Sequence, residues 1–334
     1  MSEAQLSYRK ILLIKTGAAG DLVLTSPFFR SMGASFPESE IHLLTKREYC
    51  EIVEPCPVFH RFHWLESGYQ GNWRVLNKEH FDLAVNLQVS TRTRILMMGL
   101  RAKVKAGFSD SLWSRFIYQI SVPSRLPGDI RQSQVVLLRR LGAEKILTDF
   151  QLWLDENSRR CFPEFLSRNG LDIDRPWVVI HPGSSPEWTS KRWPPERFAA
   201  VADGLSRAGC LVIFVGSGEQ KELAVHILSL MSERAIDLSG KTSFSQLVQV
   251  IETARLLITT DSAPLHIGAA SGTRTLALFG PTDPRRHCPP NVWFLSRSLA
   301  CSPCYRKFCA SLECLKSISA EEVLVQARRL LSEG

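Results

Sequence analysis

The stretch that decides the fold is residues 259–284, TTDSAPLHIGAASGTRTLALFGPTDP. An apolar run from Ala254 leads into it and predicts a short buried strand that ends near Thr260. Residues that commonly begin helices follow, and then small and apolar residues at helical spacing. A second strand is predicted at 275–279, closed by a Gly-Pro pair. A strand, a helix and a further strand in this order are typical of a parallel α/β sheet.

The start of the predicted helix is suited to binding an anion. Its first turn has free backbone N–H groups and the positive end of the helix dipole, both of which attract phosphate oxygens. Asp261 and His266 stand about one turn apart, and the small residues Ser262 and Ala263 let a ligand approach the backbone. We expect a nucleotide diphosphate here. For His266 alone, a hydrogen bond within its own helix is an alternative.

The same alternation of strands and helices runs through the whole chain. In the first half, strands are predicted at 10–16, 41–44, 61–65, 81–87 and 103–108, and helices at 22–35, 91–100 and 129–141. In the second half, strands are predicted at 177–181 and 210–215, a short segment at 235–238, and helices at 194–208, 219–231 and 244–254. Charged and turn residues between 155 and 175 indicate a break. The expected fold class is α/β, with two Rossmann-like doubly wound domains that bind ligands at the carboxyl ends of their strands.

Composition is that of a globular protein with two domains. The 334 residues are 44% hydrophobic and 22% charged. No apolar run approaches the roughly 18 residues of a membrane span, and the N-terminus lacks a signal-peptide core, so we expect a cytoplasmic protein. The net charge of +8 favours an acidic partner or is simply that of a basic surface. No nucleic-acid-binding signature is present, so we expect no nucleic acid partner.

A glycine-containing loop, Lys15-Thr-Gly-Ala-Ala-Gly-Asp21, follows the first predicted strand. Its spacing matches neither a P-loop nor a dinucleotide fingerprint. The glycines permit a tight turn that places the Asp21 carboxylate at the start of the next helix. That carboxylate is either a helix cap or a general base that accepts a proton from an attacking hydroxyl.

A second loop after a strand combines hydroxyl and cationic side chains. In residues 181–194, HPGSSPEWTSKRWP, Ser184 and Ser185 follow the strand, and Lys191 and Arg192 precede the next helix. Hydroxyls with two positive charges suit a diphosphate leaving group. The alternative for the Lys-Arg pair is solvated surface. A third loop, Gly216-Ser-Gly-Glu219, is a weak candidate for a nucleoside contact.

Four of the nine cysteines lie in one C-terminal segment, at Cys301, Cys304, Cys309 and Cys314. Without a signal sequence, reduced thiols are expected rather than disulfides. Four thiolates can hold zinc tetrahedrally, and sulfur also suits iron. The segment is thus a candidate structural zinc or iron site, and reduced, partly buried thiols are the alternative.

These motifs together resemble a known family. Residues 11–27 (ILLIKTGAAGDLVLTSP), 81–88, 181–194, 237–243 and 261–281 (DSAPLHIGAASGTRTLALFGP) are similar to bacterial glycosyltransferase family 9, the ADP-heptose:lipopolysaccharide heptosyltransferases. The resemblance covers nearly the whole chain. It implies a GT-B fold, in which two Rossmann-like domains face a central cleft. The expected division is an acceptor-binding domain at 1–160, a nucleotide-sugar-binding domain at 175–318, and a C-terminal helix at 319–334 that returns to the first domain.

The resemblance also implies an inverting transfer of heptose from ADP-L-glycero-β-D-manno-heptose to the inner core of lipopolysaccharide. Asp21 is then the expected general base, and Lys191 stabilises the departing ADP. The expected donor-binding residues are Ser184, Ser185, Lys191, Arg192, Glu219, Thr242, Asp261, Ser262, Ala263 and His266. The expected acceptor-binding residues are Gly20, Gln88 and Arg92. No cofactor is expected to be required for transfer, and a lipid-anchored acceptor implies peripheral contact with the inner membrane.

Two features depart from the family. Asn86 stands where the family often has Asp, and the cysteine group occurs in only some members. The acceptor is therefore left open. Two other functions are also left open, namely a nucleotide-sugar epimerase of the same fold and a non-catalytic sugar-nucleotide or metal-sensing module built around the cysteines.

Overall fold

The computed structural model describes residues 7–65, 69–110, 114–127 and 131–333. The chain divides into two compact units, Met1–Trp153 and Leu154–Gly334. Each unit contains one parallel sheet of six strands with helices beside it. The predicted fold class, α/β with two Rossmann-like doubly wound domains, is confirmed. Within the described ranges, no helix combines the length and apolarity that crossing a bilayer requires.

The first unit alternates strands and helices from its first described residues. Its strands are β1 Lys10–Ile14, β2 Glu40–Thr45, β3 Arg61–Trp64, β4 Phe81–Asn86, β5 Ala102–Ser109 and β6 Ile120–Pro123. Its helices are α1 Ala19–Ser35, α2 Cys50–Val53, α3 Tyr69–Leu76, α4 Thr91–Gly99, α5 Ser114–Ile117 and α6 Gln132–Arg140. The strand order is β3-β2-β1-β4-β5-β6. The central strand β1 reads KILLI and is almost completely buried, as expected for a parallel strand covered on both faces.

The second unit repeats this plan. Its strands are β7 Trp177–His181, β8 Leu211–Phe214, β9 Ile236–Asp237, β10 Leu256–Thr260, β11 Thr275–Leu278 and β12 Trp293–Leu295. Its helices are α7 Glu156–Arg168, α8 Pro195–Arg207, α9 Lys221–Leu230, α10 Phe244–Thr253, α11 Ala263–Ser271, α12 Pro284–His287, α13 Glu313–Lys316 and α14 Ala320–Ser332. The strand order is β12-β11-β10-β7-β8-β9. As in the first unit, the first strand of the chain segment lies at the centre of its sheet.

This strand order determines where a ligand can bind. The order reverses between β1 and β4 in the first unit, and between β7 and β10 in the second. At such a switch point the connections leave in opposite directions, so a crevice opens at the carboxyl ends of the two strands. Asp21 lies in the first turn of α1, directly after the loop that follows β1, and the loop after β10 carries Asp261. Both candidate carboxylates therefore lie at the switch point of their own unit.

Residues 155–175 differ from the predicted break. Their first part forms helix α7, which begins where the Asp155 carboxylate accepts a hydrogen bond from the backbone N–H of Ser158 at 2.9 Å. Phe165 is the side chain that this helix buries, and most of its charged residues are exposed. Because this helix has only a narrow apolar stripe, its sequence resembles that of a turn-rich linker.

Other differences concern short elements. Strands β6 and β12 are not predicted from the sequence, because edge strands of three or four residues show too little periodicity to detect. The helix predicted at 129–141 is observed as α6, and residues 129 and 130 lie outside the described part of the chain.

The last helix, α14, belongs to the core of the second unit. Val323, Ala327 and Leu330 are buried in the same hydrophobic cluster as residues of β7, β10 and α8. A methyl group on Gly204 of α8 would lie 2.6 Å from Leu324, so the two helices pack closely. Additional contact of 319–334 with the first domain, like the domain limits 1–160 and 175–318, stays a prediction.

Candidate functional site

The charged centre of the second unit is a pair formed by Lys191 and Asp261. The Lys191 ammonium lies 2.7 Å from Asp261 Oδ2 and donates to the Asp261 carbonyl at 3.3 Å. Lys191 ends a short 3-10 turn, Thr189–Lys191, and its ammonium also lies 4.6 Å from the centre of the Trp188 ring. The exposed fractions of the two side chains are 16% and 8%. A lysine predicted as a diphosphate contact is thus fixed at the start of α11.

The Asp261 carboxylate is held in its charged form. Burial acts to raise its pKa, but the Lys191 ammonium and a hydrogen bond from the Thr282 hydroxyl outweigh burial and keep the pKa below its usual value. The Thr282 oxygen lies 2.7 Å from Asp261 Oδ2. Asp261 is therefore a buried anion with a charged partner and a neutral partner, and it orients Lys191.

Helix α11 begins without a side-chain cap. Ser262 occupies the N-cap position, but its hydroxyl makes no cap hydrogen bond and lies 3.0 Å from His181 Nδ1 instead. Ala263, the first helical residue, is half-buried, and Pro264 follows it. His266 is buried one turn further on. The predicted residues Asp261, Ser262, Ala263 and His266 thus lie together where a phosphate is favoured.

The two serines after β7 differ in their roles. Ser184 is buried, and its hydroxyl donates to the Trp188 carbonyl at 2.8 Å and accepts a bond from Arg192 Nε at 3.3 Å. These bonds fold the loop that carries Lys191, so the Ser184 hydroxyl serves the loop itself. Ser185 is exposed. The structure brings Ser184 and Arg192 together and leaves Ser185 open to solvent.

Two further donor-side predictions lie on neighbouring loops. Glu219 is exposed in the short 3-10 turn Gly218–Gln220 that follows β8. Thr242 is half-buried just before Ser243, the N-cap of α10. A methyl group on Gly240, which has a φ of 69°, would come within 3.0 Å of Gly218, so the two loops touch. Both residues therefore follow adjacent strands at the same edge of the sheet.

In the first unit, Asp21 pairs with a lysine that the sequence analysis did not assign. Lys15 Nζ lies 3.2 Å from Asp21 Oδ2, and the lysine side chain is only 9% exposed while the aspartate side chain is 46% exposed. Asp21 lies in the first turn of α1, but the cap position belongs to Ala18 and receives no side-chain bond. The helix-cap interpretation of Asp21 is therefore not what is observed. Among the described residues, Oδ1 of Asp21 has no hydrogen-bond partner.

The predicted acceptor residues surround the same strand ends. Gly20 is buried in the first turn of α1, Gln88 follows β4, and Arg92 is exposed in α4. The Leu87 amide donates to the Ile14 carbonyl at 2.9 Å, which places the residues after β4 beside the Asp21 loop. Gln88 Oε1 is buried and has no hydrogen-bond partner among the described residues.

Asn86 has a structural role in this unit. It is 2% exposed, and its amide donates to the Tyr118 hydroxyl at 2.8 Å and to Thr93 Oγ1 at 3.2 Å. Its Oδ1 accepts a hydrogen bond from the backbone N–H of Gln88 at 3.1 Å. An Asp at this position could not donate these bonds while ionised. Asn86 thus joins β4, α4 and Tyr118 in a local hydrogen-bond network.

The cysteine segment lies against the loops of the donor side. The amides of Cys304 and Tyr305 donate to the Pro281 carbonyl at 3.0 and 2.9 Å, and the Ser190 amide donates to the Lys307 carbonyl at 3.1 Å. All nine cysteines are free thiols. In the described parts of the chain, no cluster of three or more His, Cys, Asp or Glu side chains is arranged to hold a metal ion. Burial raises the pKa of the Cys314 thiol, and its proximity to the other three thiols adds to that rise.

Four residues around the Lys15–Asp21 and Lys191–Asp261 pairs are given no role by the sequence alone. They are Lys15, His181, Gln220 and Thr282. Lys15 contacts Asp21, and Thr282 contacts Asp261. His181 contacts Ser262, and Gln220 contacts His181. A signal existed for His181, because it is the one polar residue that ends the apolar strand WVVIH. Thr282 gave no such signal, since its contact with Asp261 depends on the pairing of β10 with β11.

A family profile and several known proteins are similar to this chain. The profile of glycosyltransferase family 9 (heptosyltransferase) matches residues 71–315. The lipopolysaccharide core heptosyltransferase OpsX of Haemophilus influenzae is 24% identical over 85% of this chain and 82% of its own length. The crystal structure of a family 9 glycosyl transferase from Veillonella parvula has a TM-score of 0.85 at 25% identity and 99% coverage of both chains. E. coli ADP-heptose lipopolysaccharide heptosyltransferase II has a TM-score of 0.81 at 20% identity, covering 97% of this chain and 99% of that chain.

These similarities decide between the functions left open by the sequence. The matching profile is that of a transferase family and covers most of the chain, so an epimerase or a non-catalytic sensor is not favoured. E. coli heptosyltransferase II shares this fold of two doubly wound units. This chain belongs to glycosyltransferase family 9, the heptosyltransferase family, and is a glycosyltransferase.

Proposed function

We propose that this enzyme transfers heptose from ADP-L-glycero-β-D-manno-heptose to the inner core of lipopolysaccharide, with inversion at the anomeric carbon. The observation that carries the proposal is the Lys191–Asp261 pair at the start of α11, which lies within the family 9 match. Relatives named as heptosyltransferases of lipopolysaccharide support the choice of donor and acceptor.

On the donor side, Lys191 and the start of α11 stabilise the departing diphosphate. An ammonium has three donors, and the contacts with Asp261 leave one of them for a phosphate oxygen. The uncapped first turn of α11 supplies backbone N–H groups and the positive end of its dipole. Each such oriented donor typically contributes a few kcal/mol to transition-state stabilisation. Ser185, Arg192, Glu219, Thr242 and His266 complete the proposed donor contacts.

On the acceptor side, Asp21 acts as the general base. Its Oδ2 is held by Lys15, and its Oδ1 accepts the proton of the acceptor hydroxyl. The hydroxyl oxygen then bonds to the anomeric carbon as the bond from that carbon to the diphosphate breaks, so ADP leaves and the configuration inverts. Gly20, Gln88 and Arg92 line the proposed acceptor site. No step requires a cofactor.

The decisive experiment is a transfer assay read by mass spectrometry. Purified enzyme is incubated with ADP-heptose and a panel of truncated inner-core acceptors, and free ADP and glycosylated acceptor are measured together. A transferase yields both in equal amounts, whereas an epimerase returns a nucleotide-bound sugar. Asp21→Asn should reduce transfer by about 10²–10⁴, and the exposed Asp149→Asn is the matched control in the same unit. ADP-heptose left unchanged with every acceptor would contradict the proposal.

We further propose that the enzyme is cytoplasmic and meets the cytoplasmic face of the inner membrane peripherally. The acceptor of this reaction is lipid-anchored and phosphorylated, and the net charge of +8 favours an anionic surface. Sedimentation with vesicles that contain anionic lipid tests this proposal. Binding that is lost in high salt is expected, and equal sedimentation with neutral vesicles would argue against it.

For the cysteine segment we propose a structural zinc or iron ion at Cys301, Cys304, Cys309 and Cys314. Soft thiolate donors at C-x2-C spacing suit either metal. Hydrogen bonds from Ser311 and the Leu312 amide lower the pKa of Cys309, which favours its thiolate. The four thiols lie near one another, but among the described residues they are not arranged to hold a metal ion, so binding requires the segment to close around it.

Elemental analysis of the purified protein tests the metal proposal. One equivalent of zinc or iron is expected, lost in the double variant Cys301→Ser/Cys304→Ser and retained in the exposed-thiol control Cys161→Ser. Protein that contains no stoichiometric metal, or that retains it in the double variant, would refute the assignment.

A further inference from the structure

His181 is a buried polar residue between the loops that follow three strands. It ends β7 and is 3% exposed. Its Nε2 lies 3.1 Å from Gln220 Oε1, in the turn after β8. Its Nδ1 lies 3.0 Å from the Ser262 hydroxyl, in the loop after β10. One imidazole thus links the ends of β7, β8 and β10.

Gln220 extends this link to the loop of Lys191. Its Oε1 also accepts the Ser217 amide at 3.0 Å, and its Nε2 donates to the Ser184 carbonyl at 2.9 Å. A methyl group on Gly183 would lie 2.4 Å from the Gln220 side-chain carbon, and one on Gly216 would lie 2.9 Å from its oxygen. The two glycines therefore leave the space that Gln220 fills, and a larger residue at either position would displace it.

The hydrogen bonds have a definite direction. Gln220 Oε1 can only accept, so His181 Nε2 carries the proton and donates to it. His181 Nδ1 must then accept, and the Ser262 hydroxyl donates to it. Burial, partly opposed by the bond to Gln220, lowers the pKa of His181 to about 4, so the ring is neutral at pH 7.

This arrangement explains why Ser262 does not cap α11. A serine at the N-cap normally accepts a bond from an amide in the first turn. Here its hydroxyl is turned toward His181, and no side-chain cap bond forms. The amides at the start of α11 are left uncapped, where the proposed donor places its diphosphate.

We propose that His181 and Gln220 are positioning residues for the donor site, because they hold the loops after β7, β8 and β10 in the arrangement that binds the nucleotide diphosphate. The inference rests on the proposed function. Neither residue is proposed to touch the donor, so their loss weakens donor binding more than it slows the chemical step.

The test compares three variants in the full-length enzyme. His181→Leu keeps the approximate volume and removes both bonds, His181→Gln keeps a donor toward Gln220, and His226→Leu changes an exposed histidine of α9 as the matched control. For His181→Leu we expect the KM for ADP-heptose and the Kd for ADP to rise about tenfold or more, since two hydrogen bonds are lost. The kcat at saturating donor should stay within about threefold, and His181→Gln should recover part of the affinity.

Hydrogen exchange measured by mass spectrometry supplies a readout that is independent of ADP. In His181→Leu, exchange should rise together in residues 183–191, 216–222 and 261–265. An unchanged KM, or faster exchange confined to the loop after β7, overturns the inference while the proposed function stands. If the wild-type enzyme neither binds ADP nor transfers heptose, the proposed function fails, and the assigned role of the pair fails with it. In that case, hydrogen exchange in His181→Leu would still show whether His181 holds the three loops together, which keeps the two failures distinguishable.

Discussion

Replacing Lys191 by methionine isolates the energetic role of the Lys191–Asp261 pair. Methionine keeps an apolar stem of similar length, but Asp261, whose side chain is 8% exposed, loses its charged partner. Breaking a buried ion pair in this way typically costs about 3–5 kcal/mol. The bond from Thr282 remains at 2.7 Å and still satisfies one carboxylate oxygen. We therefore expect Lys191→Met to lose about 3 kcal/mol of unfolding free energy, the lower end of that range.

The double variant Lys191→Met/Asp261→Asn separates stability from catalysis. It removes both charges of the buried pair, and the introduced amide oxygen can still accept the Thr282 hydroxyl, so its stability should return to within about 1 kcal/mol of the wild type. Transfer should not return, because the Lys191 ammonium that donates a hydrogen bond to the leaving diphosphate is still missing. Urea unfolding followed by tryptophan fluorescence gives the free energies, and ADP release gives the rates.

The single variant should also have an inverted pH dependence. In the wild type, the pKa of Asp261 is held below its usual 3.8, so the pair contributes stability above that pH and loses it as pH falls through the lower value. Without Lys191, burial raises the pKa of Asp261, the folded state binds a proton more readily, and the single variant gains stability as pH falls. A double variant no more stable than Lys191→Met, or one that regains transfer, would refute this reasoning.

Three further outcomes follow from the first unit. Asp21→Asn should reduce transfer by about 10²–10⁴ while the Kd for ADP measured by calorimetry stays unchanged, and a parallel loss of ADP affinity would count against the general-base role. Asn86→Ala should lower the free energy of unfolding in urea by about 2–4 kcal/mol, because the buried Tyr118 hydroxyl and the backbone N–H of Gln88 lose their partner. A loss below about 0.5 kcal/mol would contradict the network. Burial lowers the pKa of His63 to about 4, so as pH falls from 6.5 to 4 the unfolded state takes up protons first, and His63 should contribute a fall in stability of roughly 2 kcal/mol. Burial also lowers the pKa of His181 to about 4, so His63→Gln should make the pH profile shallower without flattening it, and an unchanged slope would show that His63 is not a source.

Most of the fold was accessible from periodicity. Apolar runs such as KILLI and WVVIH are long enough to identify central strands, and their closing loops mark the carboxyl ends. Placing Asp21 and Asp261 in such loops needed no knowledge of strand order. Helix α7 was missed because its polarity resembles that of a linker, and β12 because three largely exposed residues have no usable pattern.

The contacts within the sites were not accessible in this way. Lys191 and Asp261 are 70 residues apart in sequence, and they meet only because β7 and β10 are neighbours in the sheet. The sequence predicts both residues but not their pairing, nor that the Ser184 hydroxyl donates to a carbonyl within its own loop. Direction and partner of a polar side chain depend on strand order, which local pattern does not contain.

Under the proposed function, the surroundings of the two lysine–aspartate pairs suit one carboxylate to proton transfer and the other to holding a cation. Both pairs lie at the switch point of their unit, with ammonium-to-oxygen distances of 3.2 Å at Asp21 and 2.7 Å at Asp261. Asp261 accepts two donors and is 8% exposed, so protonating it would break bonds at a largely buried carboxylate. Asp21 is 46% exposed and accepts one donor, which leaves an oxygen that a substrate hydroxyl can reach. A general base must be accessible and able to take up a proton at little cost, whereas an anchor for a cation must remain charged. Under the proposed function, the same pair of residue types thus supports two different tasks, and the difference in burial distinguishes them.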